Sequence, residues 1–405
     1  MFPKTLLSTL LLALAVSANP VLVDKAPVTL GLTRRLNLTS VHNLVRHDQT
    51  RAQKLKAFGG VSTDAVINEP VDNQAVTYFA DVTVGNPGTH YSLLIDTGSS
   101  NTWLGANKAY AKTSTSKATS NKVSVTYGSG SFSGTEYTDQ VSLGSGLTIP
   151  SQSIGVASKS SGFDGIDGIL GIGPVDLTQG TLSPATSSTI PTVTDNLYNL
   201  GIITSNAIGI SYAPTTSEEV ENGELSWGGV DSSKYTGSIT YVPITSTSPA
   251  SFYWGINQSI KYGTSTTILS NTAGIVDTGT TLILLATDAY KKYVAATGAV
   301  LDNTTGLLKI STTQYSKLQS LFFTIGGTSF ELTANAQIWP RSLNADIGGT
   351  SGSIYLVVAD LGSNSGEGLD FINGYTFLER FYSVYDTSNK RVGIANTPNT
   401  QATSN

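Results

Sequence analysis

The sequence predicts an all-β protein built from two related β-rich lobes with a few short helices. Three observations carry that prediction. One segment occurs twice: Leu93-Leu94-Ile95-Asp96-Thr97-Gly98-Ser99-Ser100 returns as Gly274-Ile275-Val276-Asp277-Thr278-Gly279-Thr280-Thr281. The two aspartates stand 181 residues apart, roughly one domain's length, as a duplicated lobe requires. Glycine is abundant, at 41 of 405 residues, and only 13% of residues are charged, against about 25% in an ordinary domain. Short alternating runs bounded by Gly, Pro, Asn and Ser recur along the chain, and helical periodicity is rare.

The first residues have a separate purpose. Lys4 precedes the apolar run Leu6–Val16, and Val16-Ser17-Ala18 suits cleavage, so residues 1–18 read as a secretory signal. That run is too short for a membrane span, and no membrane role is expected. Residues 19–64 hold seven basic residues and three acidic ones, while the rest of the chain is net acidic. Such a contrast suggests a pro-segment latched over an acidic cleft. Lys54 or Lys56 is the expected cation of the latch. The acidic body argues against nucleic-acid partners.

Within the body, Tyr78–Val84 alternates and Tyr91–Ile95 follows the Pro87-Gly88 turn, a hairpin leading to Asp96. Lys108–Asn121 is polar and reads as loop. Val123–Gly144 reads as a hairpin whose tip is Tyr127-Gly128-Ser129-Gly130, suited to closing over a bound molecule. Its spacing is not a dinucleotide fingerprint. Phe163–Gly171 ends in Ile169-Leu170-Gly171, fit to pack behind the first aspartate's turn. Asp167 in that stretch reads as structural. Pro191–Leu200 and Thr287–Thr297 are the helical candidates, and Leu321–Leu332 is a hairpin turning at Gly326-Gly327. The polar stretch Pro214–Asn222 reads as the lobe junction, giving an N-terminal lobe at 65–213 and a C-terminal lobe at 214–397. Asn37, Asn257 and Asn303 begin glycosylation sequons.

Composition restricts the chemistry. There is no cysteine, which removes thiol nucleophiles, cysteine-based metal sites and disulfides. Of three histidines, two fall in the basic leading segment and the third, His90, in a polar turn. A Ser-His-Asp triad or a histidine metal site therefore lacks material, and no metal or cofactor is expected. Carboxylates remain. Each apolar run reads as a buried strand, and each Asp-Thr-Gly as the turn ending it. Gly98 and Gly279 can take positive φ, and with no Cβ to hide their N–H groups they can donate to the neighbouring carboxylates. Thr97 and Thr278 are placed to lock the turns or reach the other lobe. Ser99 and Thr280 are placed to bond the outer carboxylate oxygens. Two carboxyl groups brought together share one proton over a pH range, giving a general acid and a general base.

These motifs resemble those of the pepsin-like aspartic proteases, across essentially the whole chain after the signal. The matching stretches are Asp96–Trp103, Asp277–Thr281, Tyr127–Gly130 and Ile169-Leu170-Gly171. In the second lobe Ile372-Asn373-Gly374 takes the last position's place, with Asn373 where relatives have an aliphatic residue. The resemblance implies the bilobal acid-protease fold and a secreted endopeptidase made as a zymogen and acting at acid pH. It implies Asp96 and Asp277 as the catalytic pair. Gly98, Tyr127, Gly128, Ser129, Gly279 and Thr280 are implied to meet substrate, and Thr97, Ser99, Trp103 and Thr278 to support the pair. Tyr127 is implied to bond the Trp103 indole. Partners would be protein and peptide substrates and the chain's own pro-segment, acting on a monomer. Ser129, uncharged where some fungal relatives carry aspartate, implies weak cleavage after lysine. Two rival readings are a catalytically silent pepsin-fold protein that binds peptides or proteins and a carbohydrate-active enzyme with a carboxylate pair. The intact motifs weigh against both.

Overall fold

The computed structural model describes residues 26–36, 44–58, 76–128, 130–144 and 146–405. The expected signal, the sequon at Asn37 and the expected start of the body at Ala65 lie outside the described residues, as does Ser129 at the hairpin tip. The fold is mostly strand with few short helices and is bilobal, as the sequence predicts. Among the described residues the strands form sheets of fourteen, seven and three members.

Two elements precede the body: β1 (Val28–Leu36) and α1 (Leu44–Ala57). Neither is among the sequence expectations. β1 is not at an edge. It lies between β2 (Val76–Val84) and the strand Glu219–Trp227, antiparallel to both. Arg34 on β1 is buried and donates to Glu379 Oε1 at 3.2 Å and to the Ser217 carbonyl at 3.0 Å. Burial raises the Glu379 carboxyl above its ordinary range, against the opposing pull of Arg34 and Arg380. Residues 219–222, expected as a polar junction, are strand because their mates are on β1: Arg35 lies opposite Glu219 and Thr33 opposite Glu221.

The active-site scaffold is built twice. β3 (Thr89–Asp96) runs from its hairpin with β2 into the first Asp-Thr-Gly. β4 (Thr102–Leu104) follows the turn. The hairpin of β5 (Lys117–Thr126) and β6 (Ser131–Ser142) leads to β7 (Thr148–Ser161), and β8 (Gly168–Gly171) inserts between β3 and β4, parallel to the first and antiparallel to the second. β5 begins inside the stretch expected to be loop, where Lys117 and Ala118 pair with Thr138 and Tyr137. In the second lobe Phe371–Asn373 inserts in the same manner, parallel to Thr266–Val276 and antiparallel to Ile283–Leu285. An apolar strand buried on both faces can sit only in such a central place, and Leu93, Ile95, Leu170, Ile275 and Ile372 are buried. The helical candidates form at Val193–Asn199 and Thr287–Thr297. The first is closed by a reciprocal Thr192–Asp195 capping box. The hairpin expected at Leu321–Leu332 turns at Gly326-Gly327. Among the described residues no helix is long and apolar enough to cross a membrane.

Candidate active site

The two Asp-Thr-Gly turns meet at the base of the interlobe cleft. They are tied by their threonines. The Thr97 N–H donates to Thr278 Oγ1 at 3.0 Å, and the Thr278 N–H donates to Thr97 Oγ1 at 2.9 Å. Thr278 Oγ1 donates onward to the Ile95 carbonyl at 3.0 Å. The exchange fixes each carboxylate against the other lobe's backbone. Both Asp96 and Asp277 are fully buried.

Each carboxylate is held the same way. Gly98 N–H donates to Asp96 Oδ1 at 2.9 Å, and Ser99 Oγ to Asp96 Oδ2 at 2.5 Å. Gly279 N–H donates to Asp277 Oδ1 at 3.1 Å, and Thr280 Oγ1 to Asp277 Oδ2 at 2.6 Å. Neither glycine uses the positive φ open to it. Their requirement is space: a Cβ on Gly98 would stand 2.6 Å from Asp277 Oδ1, and one on Gly279 would stand 2.7 Å from Asp96 Oδ1. The carboxylates can approach only across bare backbone.

The backing strands differ between lobes. Leu170 supports the first turn. In the second, Asn373 accepts the Asp277 N–H on its carbonyl at 3.1 Å, and its side chain forms a closed amide pair with buried Gln258, at 2.9 and 3.1 Å. The amide that departs from the aliphatic pattern is thus fully partnered.

The cleft is filled by α1. Arg51 reaches both carboxylates: Nη2 donates to Asp96 Oδ1 at 2.6 Å and to Asp277 Oδ1 at 2.9 Å, and Nε donates to Asp277 Oδ2 at 2.7 Å. Burial raises the Asp277 carboxyl, but the Arg51 charge and the hydrogen bonds from Arg51, Thr280 and Gly279 outweigh it and hold the group below the usual carboxylate range. The expected lysines are not at the pair. Lys54 lies on the exposed face of α1, and Lys56 binds Ser363 and Glu367. Helical periodicity explains the difference. Leu44, Asp48, Arg51, Ala52 and Leu55 fall on one buried stripe, and Lys54 does not.

Asp48, on the same stripe, is a second anchor. Its carboxylate accepts the Leu282 N–H at 2.7 Å and the Thr281 N–H at 3.1 Å, at the end of the second motif. Gln49 Nε2 donates to the Asp360 carbonyl, and Tyr253 Oη to the Leu55 carbonyl. From the other lobe the hairpin of β5 and β6 closes on the helix. A Cβ on Gly128 would run into the Arg51 backbone.

Tyr127 and Trp103 are neighbours, with ring centroids 6.3 Å apart; the Trp103 side chain acts on the Tyr127 hydroxyl as a hydrogen-bonding neighbour, but the two do not reach the geometry of a full hydrogen bond. Phe132 stacks on the indole at 4.2 Å, and Phe163 stands edge-on to both rings. Aromatic packing holds this pair. Asp167 is structural, as expected, accepting the Ser92 N–H at 3.0 Å. His90 is exposed beside Asp81.

The eukaryotic aspartyl protease family profile matches residues 77–397. The chain belongs to that family. This aspartyl protease is 73% identical to polyporopepsin of Irpex lacteus over 83% of its own length and 98% of the relative's. It is 28% identical to pepsin-3 of Oryctolagus cuniculus over 95% and 98% of the two chains. The crystal structure of the aspartic proteinase from Irpex lacteus superposes with a TM-score of 0.81 at 74% identity, covering 83% of this aspartyl protease and 98% of that chain. It is an aspartic-type endopeptidase.

Proposed function

We propose that the chain is a secreted endopeptidase, made as a zymogen, that hydrolyses proteins and peptides at acid pH through Asp96 and Asp277. One observation carries the reading: a single nitrogen, Arg51 Nη2, lies within hydrogen-bond distance of an oxygen from each carboxylate. A water placed there after Arg51 departs would touch both. The ionised carboxylate takes the water's proton as its oxygen attacks the scissile carbonyl carbon, and the protonated partner donates to the carbonyl oxygen. The tetrahedral species then collapses, the C–N bond breaks, and the amine leaves with a proton. Gly98, Tyr127, Gly128, Ser129, Gly279 and Thr280 line the substrate in this reading. Thr97, Ser99, Trp103 and Thr278 hold the frame.

The zymogen reading rests on residues 19–64 acting as the pro-segment, within which α1 excludes substrate. The lobes divide at 213/214. Backbone contacts discriminate little between sequences, so specificity comes from apolar side-chain pockets, with preference for Phe, Leu or Tyr before the cut and weak cleavage after lysine. Residues 1–18 direct the chain to the medium, as a monomer, with Asn257 and Asn303 as glycan acceptors.

The test is hydrolysis of a denatured protein at about pH 3–4, with and without pepstatin, a statine-type mimic of the tetrahedral species. Asp96→Asn and Asp277→Asn should each abolish cleavage while leaving the fold intact by circular dichroism. Full activity in either variant overturns the catalytic assignment.

A further inference from the structure

The strand Gly255–Tyr262 presents two faces with different occupants. Its inner face carries Gln258, paired with Asn373 behind Asp277. Its outer face carries Asn257 and Ser259, the first and third residues of a sequon. Asn257 is exposed and half committed. Its Oδ1 accepts from Thr245 Oγ1 at 3.0 Å, and its Nδ2, the atom on which an N-linked sugar is built, makes no hydrogen bond among the described residues. The carbonyl bond orients the amide and leaves the nitrogen outward.

Beside it lies a surface groove of about 280 Å³. Val242 and Pro243 form its apolar flank, and Asn271 and Thr324 supply polar groups. The groove ends at the Gly326-Gly327 hairpin tip. Nothing stands within 4 Å of where a Gly327 side chain would begin, so the mouth is open. No charged side chain lines the groove. An apolar flank with neutral amide and hydroxyl partners fits a pyranose ring, which has one apolar face and a rim of hydroxyls.

We propose that Asn257 carries an N-linked glycan whose first N-acetylglucosamine is seated in this groove. The inference rests on the secretory reading above. The donor is a lipid-pyrophosphate-linked oligosaccharide. Asn257 Nδ2 bonds to C1 of the reducing sugar, the C1–O bond to pyrophosphate breaks, the nitrogen loses one proton, and the lipid pyrophosphate leaves. Asn303 offers a comparison within the same chain. It stands on an exposed turn in which Asp302 Oδ1 gathers the Thr304 and Thr305 amides and the Thr305 hydroxyl, and a sugar there projects into solvent.

The experiment expresses the full chain behind its own first residues in a secretory yeast, followed by peptide mapping of the protein in the medium. Asn257 should carry glycan. Trimming to a single N-acetylglucosamine with endoglycosidase H should leave Tm unchanged. Ser259→Ala, which keeps Asn257 and removes the sequon, should lower Tm by about 2 °C. Asn303→Gln should leave Tm unchanged. Glycan at Asn303 with none at Asn257 overturns the proposal and leaves the secretory reading standing, as does an unaltered Tm in Ser259→Ala. Protein retained in the cell without glycan at either position overturns both.

Discussion

Arg51 grips Asp277 side-on, with Nε 2.7 Å from Oδ2 and Nη2 2.9 Å from Oδ1. A planar guanidinium matches a carboxylate in this two-point fashion, and a lysine would offer one contact. Burial lowers the Arg51 pKa, but the two aspartates outweigh it and raise the group further above its ordinary value. The cation therefore stays charged at every working pH, and the pH response falls to its carboxylate partner Asp277.

The sign follows from Asp277. Its carboxyl lies below the ordinary range while Arg51 is docked, so docking is complete above that range and fails as pH falls through the depressed value. Arg51→Met, which leaves two buried carboxylates uncompensated, should convert to the shorter form at about pH 5 at least roughly tenfold faster than the parent. Gel electrophoresis with N-terminal sequencing measures it. Equal conversion rates would mean that the Arg51 contact does not hold the segment.

Asp48→Asn tests the second anchor. The change keeps the shape but replaces a charged acceptor facing two backbone amides. Losing charge-assisted bonds costs about 1–3 kcal/mol. Conversion should quicken, and the mature enzyme's kcat/KM should not change, because on the proposed processing Asp48 is removed with residues 19–64. A reduced kcat/KM in the mature form would show that Asp48 acts outside docking.

Gly98→Ala and Gly279→Ala should each lower kcat at least about a hundredfold, because a methyl group intrudes on the opposite carboxylate and a displacement on the order of 1 Å at a reacting group has that effect. Neither position needs an unusual φ, so thermal stability should fall much less than activity. Normal kcat in either variant would sink the close-approach explanation.

The Gln258–Asn373 pair predicts a rescue. Asn373→Ile leaves the Gln258 amide buried without its partner and should cost about 1–3 kcal/mol. Adding Gln258→Leu should recover most of that loss, because removing both polar groups is close to neutral. Urea melts of the single and double variants decide it. A double variant as unstable as the single would place the cost elsewhere.

Glu136 is buried, with Ser153 Oγ on one carboxylate oxygen and no partner on the other. Burial pushes its carboxyl up to about 7 from an ordinary 4.5. The folded state thus holds a proton that the unfolded state releases, and stability is fully present below 4.5 and lost as pH rises through 7. The loss reaches roughly 3 kcal/mol at neutral pH. Glu136→Gln should raise Tm at pH 8 relative to the parent and change it little at pH 4. An equal shift at both pH values would exclude titration as the cause.

The paired aspartates were legible because duplication writes the same turn twice and each copy follows an apolar strand. Ser99 and Thr280 were legible for the same reason: a hydroxyl three residues past a carboxylate reaches it through the turn alone. Arg51 was not, because its partners lie 45 and 226 residues away. The stripe Leu44, Asp48, Arg51, Leu55 was the available signal, and a charge at its centre pointed inward where Lys54 pointed out. Glu219–Asn222 passed for a junction because half of its ladder is supplied by β1, whose charged end, Arg34-Arg35, hides its strand character. For Gly98 and Gly279 the residue type was readable but the reason was not: close approach depends on the other lobe, which no local pattern reports.

If residues 19–64 are the pro-segment proposed above, the position of β1 has a consequence for maturation. A leader lying across a cleft can drift off and return. β1 is also stitched between β2 and Glu219–Trp227, so on the proposed processing its departure would open a seam through the middle of a sheet and take Arg34 from the buried Glu379, which keeps Tyr78 as a donor. On that reading a returning leader would have to rebuild two antiparallel ladders at once, one with each neighbour, which sets it apart from a segment held by the cleft alone.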